Sequence, residues 1–267
     1  MKNPHAQTLY YGCPMWGHKA WQGRLYPANT RNKLQHYAQH FNSVEGNTTF
    51  YATPSTDTLK HWREQVDDTF KFCFKFPQSI THRAQLRHCN DETREFLQKM
   101  SLLDGNLGPI QIQLSAKFSP HNLRHLSVFL SQLPDEFDYA VEVRHPEFFN
   151  KSDAEKQLNQ LLMQHQVDRV CFDSRGLFAS TDTDSDTLHA QSKKPNLPVH
   201  AIATGKHPII RFIGPLDNAK ALAYTAVWQK KIQQWQQDGI QPYLFFHTPN
   251  NHQAPELCKA FMHEFTA

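Results

Sequence analysis

The chain has 267 residues, of which 39% are hydrophobic and 20% charged, and 28 Lys and Arg stand against 25 Asp and Glu for a formal net charge of +3. That length is enough for one large core or two small ones, and so small a charge excludes any chain-wide attraction to nucleic acid or a membrane surface. No apolar run approaches roughly 18 residues, which excludes a transmembrane helix.

The stretch Met1 to Thr8 is polar, without the apolar segment of a secretory signal. The five cysteines are scattered and never spaced as C-x-x-C, which argues against a disulfide scaffold or zinc ribbon and for a reducing cytoplasm. In chain order, Leu9 to Cys13 is the first short apolar run. Leu34, Tyr37, Ala38 and Phe41 then fall at helical spacing behind Asn29 or Thr30 as a cap. The run Ser43 to Asn47 precedes a stripe of Leu59, Trp62 and Val66 after Pro54-Ser55, and Phe70 to Phe76 precedes Phe96, Leu97, Met100 and Leu103 after Asn90-Asp91. Ile110 to Leu114 is followed by Leu123, Leu126, Phe129, Leu130 and Leu133 behind Ser119-Pro120, and Tyr139 to Val143 by Leu158, Leu161, Leu162 and His165 behind Ser152. Arg169 to Phe172 is the sixth run. After it, residues 174–208 show no helical stripe, so a long polar loop is expected in place of the sixth helix, mobile and dispensable from Ser180 to Pro198. Ile209 to Ile213 leads into Ala221, Thr225, Trp228, Ile232 and Trp235 after Asn218, and Tyr243 to Phe246 into Leu257, Phe261 and Phe265 after Pro255.

Eight β-rich runs alternating with helical stripes predict parallel βαβ units. At about 33 residues per unit, the pattern fits a single (β/α)8 TIM-like barrel over residues 1–267. An open doubly wound sheet often has a Gly-rich first turn, whereas here the turn reads Gly12-Cys13-Pro14-Met15-Trp16-Gly17.

In a barrel of this kind, functional groups gather at the C-terminal ends of the strands. Those ends carry Cys13 and Trp16; Glu45 and Asn47; Lys75; Gln113; Glu142 and Arg144; Asp173; Arg211; and His247 with Asn250 and Asn251. Strand alternation sends Lys75 inward from a phenylalanine-faced strand and puts Glu142 and Arg144 on one face, roughly 7 Å apart along the strand. At that separation each is expected to find partners across the mouth: Lys75 or Arg211 for the glutamate, Glu45 or Asp173 for the arginine. Three acids, Glu45, Glu142 and Asp173, thus balance three bases, Lys75, Arg144 and Arg211. Because a buried unpaired charge is costly, the six form either a self-neutralised plug or a polar pocket. In a pocket the bases grip a carboxylate, phosphate or nucleotide while the acids do proton transfer. His82 lies just beyond the third strand, and Trp16, Trp21 and Tyr51 are candidates for an aromatic rim. Cys13, Cys73 and Cys171 read as small buried residues. No nucleophile elbow, phosphate loop or dinucleotide fingerprint is present, so no cofactor is expected. Glu45, His82, Glu142, Asp173 and His247 are metal-ligand types without metal-ligand spacing, so no tightly bound metal is expected either.

Several segments resemble the YecE-like family, domain of unknown function 72. They are Gly12-Cys13-Pro14-Met15-Trp16, Trp21 through Pro27, Val44-Glu45-Gly46-Asn47-Thr48-Thr49-Phe50-Tyr51 and Phe72-Cys73-Phe74-Lys75-Phe76-Pro77. The resemblance continues through Ile80-Thr81-His82, Leu107-Gly108-Pro109-Ile110, Gln113-Leu114, Glu142-Val143-Arg144-His145, Asp173, Arg211-Phe212-Ile213-Gly214 and Asn250-Asn251. It implies a TIM-like barrel and no established reaction, with a suggested likeness to the endonuclease IV and xylose isomerase barrels. The chain departs from the family pattern at Ser115-Ala116, where prolines are usual, and at His247-Thr248-Pro249, before the paired asparagines. The resulting expectation is an enzyme that uses Glu45, Glu142 and Asp173 for catalysis on a small anionic substrate. Trp16, Asn47, Lys75, His82, Gln113, Arg144, Arg211, Asn250 and Asn251 are the expected binding residues. The alternatives are a nucleic-acid-binding or repair protein resembling endonuclease IV and a non-catalytic small-molecule binder.

Overall fold

The computed structural model describes residues 8–266; most of the polar N-terminal stretch, Met1 to Gln7, lies outside the described residues. Every apolar run forms a strand: β1 Tyr10–Gly12, β2 Ser43–Gly46, β3 Lys71–Phe74, β4 Ile110–Gln113 and β5 Tyr139–Glu142. The sixth run divides at Val170 into β6 Asp168–Arg169 and β7 Cys171–Asp173, and β8 Ile209–Ile213 and β9 Tyr243–His247 complete the set. All ladders are parallel, as the intervening helices require. They form three sheets, β1-β9-β8-β7, β2-β3 and β4-β5-β6, so the continuous closed ladder of a barrel is not formed. Single bridges between Phe72 and Leu107 and between Lys75 and Gln111 connect the second sheet to the third.

The helices are α1 Lys33–Ala38, α2 Thr56–Glu64, α3 Asn90–Met100, α4 Leu123–Leu130, α5 Asp153–Gln164, α6 Arg175–Ala179, α7 Ser185–Lys193, α8 Asn218–Ala223, α9 Ala226–Gln237 and α10 Ala254–Thr266. Ser55 caps α2 by accepting the Thr58 N–H at 3.2 Å, as the Pro54-Ser55 signal predicts. Asn29, expected as a cap for α1, instead takes a left-handed φ of 67°, and Asn32 occupies the cap position. The last long stripe breaks into α8 and α9 at Tyr224-Thr225, where the buried Thr225 hydroxyl donates to the Leu222 carbonyl at 2.7 Å.

Residues 174–208 correct the expectation of an unbroken loop, because α6 and α7 occupy its first half. The run Thr181 to Asp186, which reads as solvated loop, contains the helix start: Asp184 accepts the N–H groups of Asp186 at 3.0 Å and Thr187 at 2.9 Å. Few apolar residues are needed to dock these helices, since Leu177 and Ala190 pack with Phe172 and Ile213. The Ser174 hydroxyl also donates to the Pro195 carbonyl at 2.9 Å, and Gln191 donates to the carbonyls of Leu177 and Ser180.

The largest apolar cluster runs from Leu9 to Phe261 where strands meet helices. A second one collects Tyr10, Cys73, Ala140, Val170, Ile209, Tyr243 and Phe245 from several strands. All five cysteines are buried and unpaired, as expected for Cys13, Cys73 and Cys171. Gly12 is required by close approach: a Cβ there would sit 1.9 Å from the Ser43 carbonyl oxygen. The Tyr37 hydroxyl bridges the same gap, accepting the Cys13 N–H at 2.6 Å and donating to the Ser43 carbonyl at 2.9 Å. This join holds the end of β1 against the start of β2. Among the described residues no helix is long and apolar enough to cross a membrane.

Candidate functional site

Glu45 near the end of β2, Lys75 just past β3, Gln113 at the end of β4, Glu142 at the end of β5, Arg211 in β8 and His247 at the end of β9 are all buried. Their neighbours along each strand, Val44, Phe74, Ile112, Val141, Phe212 and Phe246, belong to the apolar cluster against the helices. Period-two alternation therefore turns the polar set to the opposite face, and parallel pairing brings the strand ends together.

Arg211 is the hub. Its Nε lies 2.5 Å from Glu45 Oε1, an ion-pair contact off the N–H axis, and its Nη2 donates to Glu45 Oε2 at 3.2 Å. Its Nη1 donates to Glu142 Oε2 at 2.6 Å. The other Glu142 oxygen accepts from Arg144 Nε at 2.6 Å, and Arg144 Nη2 is equally close. Arg144 therefore folds back along its own strand onto Glu142 rather than crossing to Glu45 or Asp173 as expected; its long side chain spans the separation that the backbone imposes. His247 Nε2 approaches Glu45 Oε2 at 3.1 Å, and Asn47 donates to the same oxygen at 3.1 Å and to the Pro14 carbonyl at 3.0 Å. Lys75 Nζ donates to Gln113 Oε1 at 2.8 Å and stands 3.9 Å from Glu45. The guanidinium groups of Arg211 and Arg144 also lie over the Phe172 ring, 5.4 and 6.0 Å from its centroid.

These groups face a cleft of about 410 Å³ lined by Lys75, Arg144, Lys194 and Arg211 together with Met15, Asn47, Phe50, Tyr51, His82, Gln113, His247 and Asn251. Burial alone raises the carboxyls of Glu45 and Glu142, but the cations around them outweigh it and hold both well below the usual carboxylate range. The same pairs push the Arg211 guanidinium up against its own burial. Burial, then Arg211, lowers Lys75 to about 7, with Glu45 and Glu142 pulling the other way. Lys194 falls to about 8 for the same two leading reasons, and burial brings His247 down to about 4, so it is neutral at pH 7. His82 is lowered by burial and by Arg144. The cleft thus presents four basic side chains over two acids, and two of the bases already give up protons more readily than exposed lysines. Among the described residues no three His, Cys, Asp or Glu side chains are grouped as metal ligands.

A family model described as Protein of unknown function DUF72 matches residues 10–267. The chain belongs to the DUF72 family. It is 48% identical over 249 residues to UPF0759 protein YecE of Escherichia coli (strain K12), a match covering 93% of this chain and 89% of that protein. UPF0759 protein YunF of Bacillus subtilis (strain 168) is 26% identical over 173 residues, 61% of this chain and 60% of the relative. A crystal structure of a DUF72 family protein from Thermotoga maritima superposes with a TM-score of 0.76 at 19% identity, covering 98% of this chain and all of the other. One from Enterococcus faecalis gives 0.74 at 15% identity, with 97% and 96% covered. At such identity the likeness shows the shared α/β fold.

Of the site residues expected from the sequence and from the DUF72 motifs, Glu45, Asn47, Lys75, His82, Gln113, Glu142, Arg144, Arg211 and Asn251 come together at this cleft. Trp16 lines an adjoining cavity instead. Asp173, expected as a catalytic acid, is spent elsewhere: it accepts from Arg175 Nη2 at 2.8 Å, Arg175 Nε at 3.0 Å and Trp228 Nε1 at 2.7 Å. Asn250 points away to Asp186 at 2.8 Å, tying the turn after β9 to the start of α7. Trp21, a candidate for the aromatic rim, is buried and donates its indole N–H to the Asn251 carbonyl at 2.9 Å. Lys194 and Gln78 are lining residues missed; Lys194 sits in the segment read as dispensable and enters only because α7 docks. Losing Asp173 and gaining Lys194 turns the expected three-to-three balance into a cationic cleft.

Proposed function

We propose that this DUF72 protein is an enzyme whose strand-end cleft binds a small anionic or phosphate-bearing substrate. We read the three parallel sheets as arcs of one TIM-like barrel, a reading supported by the second apolar cluster, which draws residues from β1, β3, β5, β8 and β9. The observation that carries the function is the charge imbalance: Lys75, Arg144, Lys194 and Arg211 line the cleft, while Glu45 and Glu142 supply two negative charges. An anion that bridges Arg144 and the lysines offsets the excess and makes charge-assisted hydrogen bonds in a partly desolvated setting.

Proton transfer was expected from Glu45 and Glu142. Both stay ionised far below neutrality and are ion-paired with arginine, so their role in this reading is to aim Arg211 and Arg144. Lys75, at about 7, matches the pKa required of a group that exchanges protons near neutral pH. The pairing of both acids with arginine also favours a second reading, a binder without turnover.

Thermal melts with and without 10-fold steps of phosphate test the anion site. Wild type is expected to gain stability with ligand, by about 2.7 kcal/mol at 100 times Kd. Arg144→Ala is expected to lose most of that gain. A melting temperature indifferent to phosphate and sulfate in wild type refutes the site.

A further inference from the structure

We infer that the anionic substrate carries a planar ring, as an aryl or nucleoside phosphate does. The inference rests on the anion-site reading above and adds the class of molecule. Two cavities meet at the strand ends. The cationic cleft, of about 410 Å³, and a second one of about 370 Å³ share Pro14, Met15, Asn47 and Tyr51 as common walls. Together they fall within the range of roughly 300–1,000 Å³ that small-molecule sites occupy. The second cavity is completed by Trp16, Gly17, Gly46 and Thr48, and no charged side chain lines it. An anionic group gripped by Arg144 and Lys75 therefore leaves the rest of its molecule facing a neutral wall that bears rings.

The Trp16 ring is held in place before any ligand arrives. Trp16 stands edge-to-face with Trp62, centroids 5.0 Å apart, and with Phe72 at 6.2 Å, yet it remains partly exposed. Tyr51 is 75% exposed, and its ring stands at 89° to Phe50 with centroids 5.2 Å apart. A tyrosine so exposed contributes little to the core, and beside a cationic cleft it offers a flat apolar face. A pre-fixed aromatic face such as that of Trp16 stacks a planar ring at small entropic cost. An aliphatic phosphate would fill the cationic half and leave both rings in water.

Titration calorimetry of the full chain compares inorganic phosphate, glycerol phosphate, 1-naphthyl phosphate and adenosine monophosphate. At least one ring-bearing probe is expected to bind about tenfold or more tightly than phosphate and glycerol phosphate. The naphthyl and adenosine arms separate an aryl from a nucleoside preference. Tyr51→Ala should bring the ratio of ring-bearing to inorganic phosphate affinity toward one. Trp16→Phe should lower it in part, and the exposed position of Tyr51 keeps the test valid should the Trp16 variant fold poorly. Phosphate binding with no gain from either ring, or a gain that Tyr51→Ala leaves intact, overturns this inference alone. Failure of every phosphate probe to bind overturns both it and the anion site.

Discussion

Replacing Glu142 by Gln keeps the side-chain volume and removes one charge from the centre of the buried network. In the wild-type protein Oε2 accepts from Arg211 and Oε1 from Arg144, each at 2.6 Å, and the side chain is 1% exposed. Gln offers one acceptor and one donor, so one arginine must face an N–H₂ group. Arg211 keeps Glu45, at 2.5 and 3.2 Å, and Arg144 is 19% exposed and can turn toward water. The cost therefore belongs at the lower end of the 3–5 kcal/mol typical of a broken buried pair, about 3 kcal/mol. For a domain of this size that lowers the melting temperature by roughly 6–12 °C. The variant also has one more uncompensated positive charge in the cleft, so sulfate or phosphate should restore more stability to it than to wild type. Differential scanning calorimetry with and without sulfate reads both effects. A fall below about 2 °C, or equal rescue of wild type and variant, would refute the reasoning, since the first means that the pair is not energetically coupled to the fold and the second that the cleft does not sense its own charge.

Sulfate, which does not titrate near neutrality, should bind more weakly as pH rises above about 7. Lys75 is depressed to about 7 in the free protein, an anion favours its charged form, and binding must therefore take up a proton above that pH; calorimetry in buffers of different ionisation enthalpy should show the uptake, and Lys75→Met should diminish it. Asp173→Ala should destabilise the fold by about 2 kcal/mol while leaving sulfate affinity unchanged, because the carboxylate is bound to Arg175 and Trp228; a selective loss of affinity would return Asp173 to the site. Elemental analysis after gel filtration should show less than one transition metal per chain, since Arg211 already occupies both Glu45 and Glu142; one zinc or manganese per chain would contradict this.

Outside residues 174–208, the sequence by itself determined where most strands and helices lie and which side chains turn away from the helices, because hydrophobic periodicity and strand alternation are local properties. Glu45, Lys75, Gln113, Glu142, Arg144 and Arg211 were legible for that reason, each next to an apolar neighbour committed to the helix-facing core. The docking of α6 and α7 was not legible, since Leu177 and Ala190 become a core only when Phe172 and Ile213 are beside them. The partners were not legible either. Arg211 and Glu45 lie 166 residues apart, and Asp173 and Trp228 lie 55 apart. A long charged side chain chooses among nearby counter-charges by desolvation and distance, and both exist only after the strand ends have converged. The tertiary structure alone therefore removed Asp173 from the cleft, brought Lys194 into it, and turned a balanced set of charges into a cleft lined by Lys75, Arg144, Lys194 and Arg211.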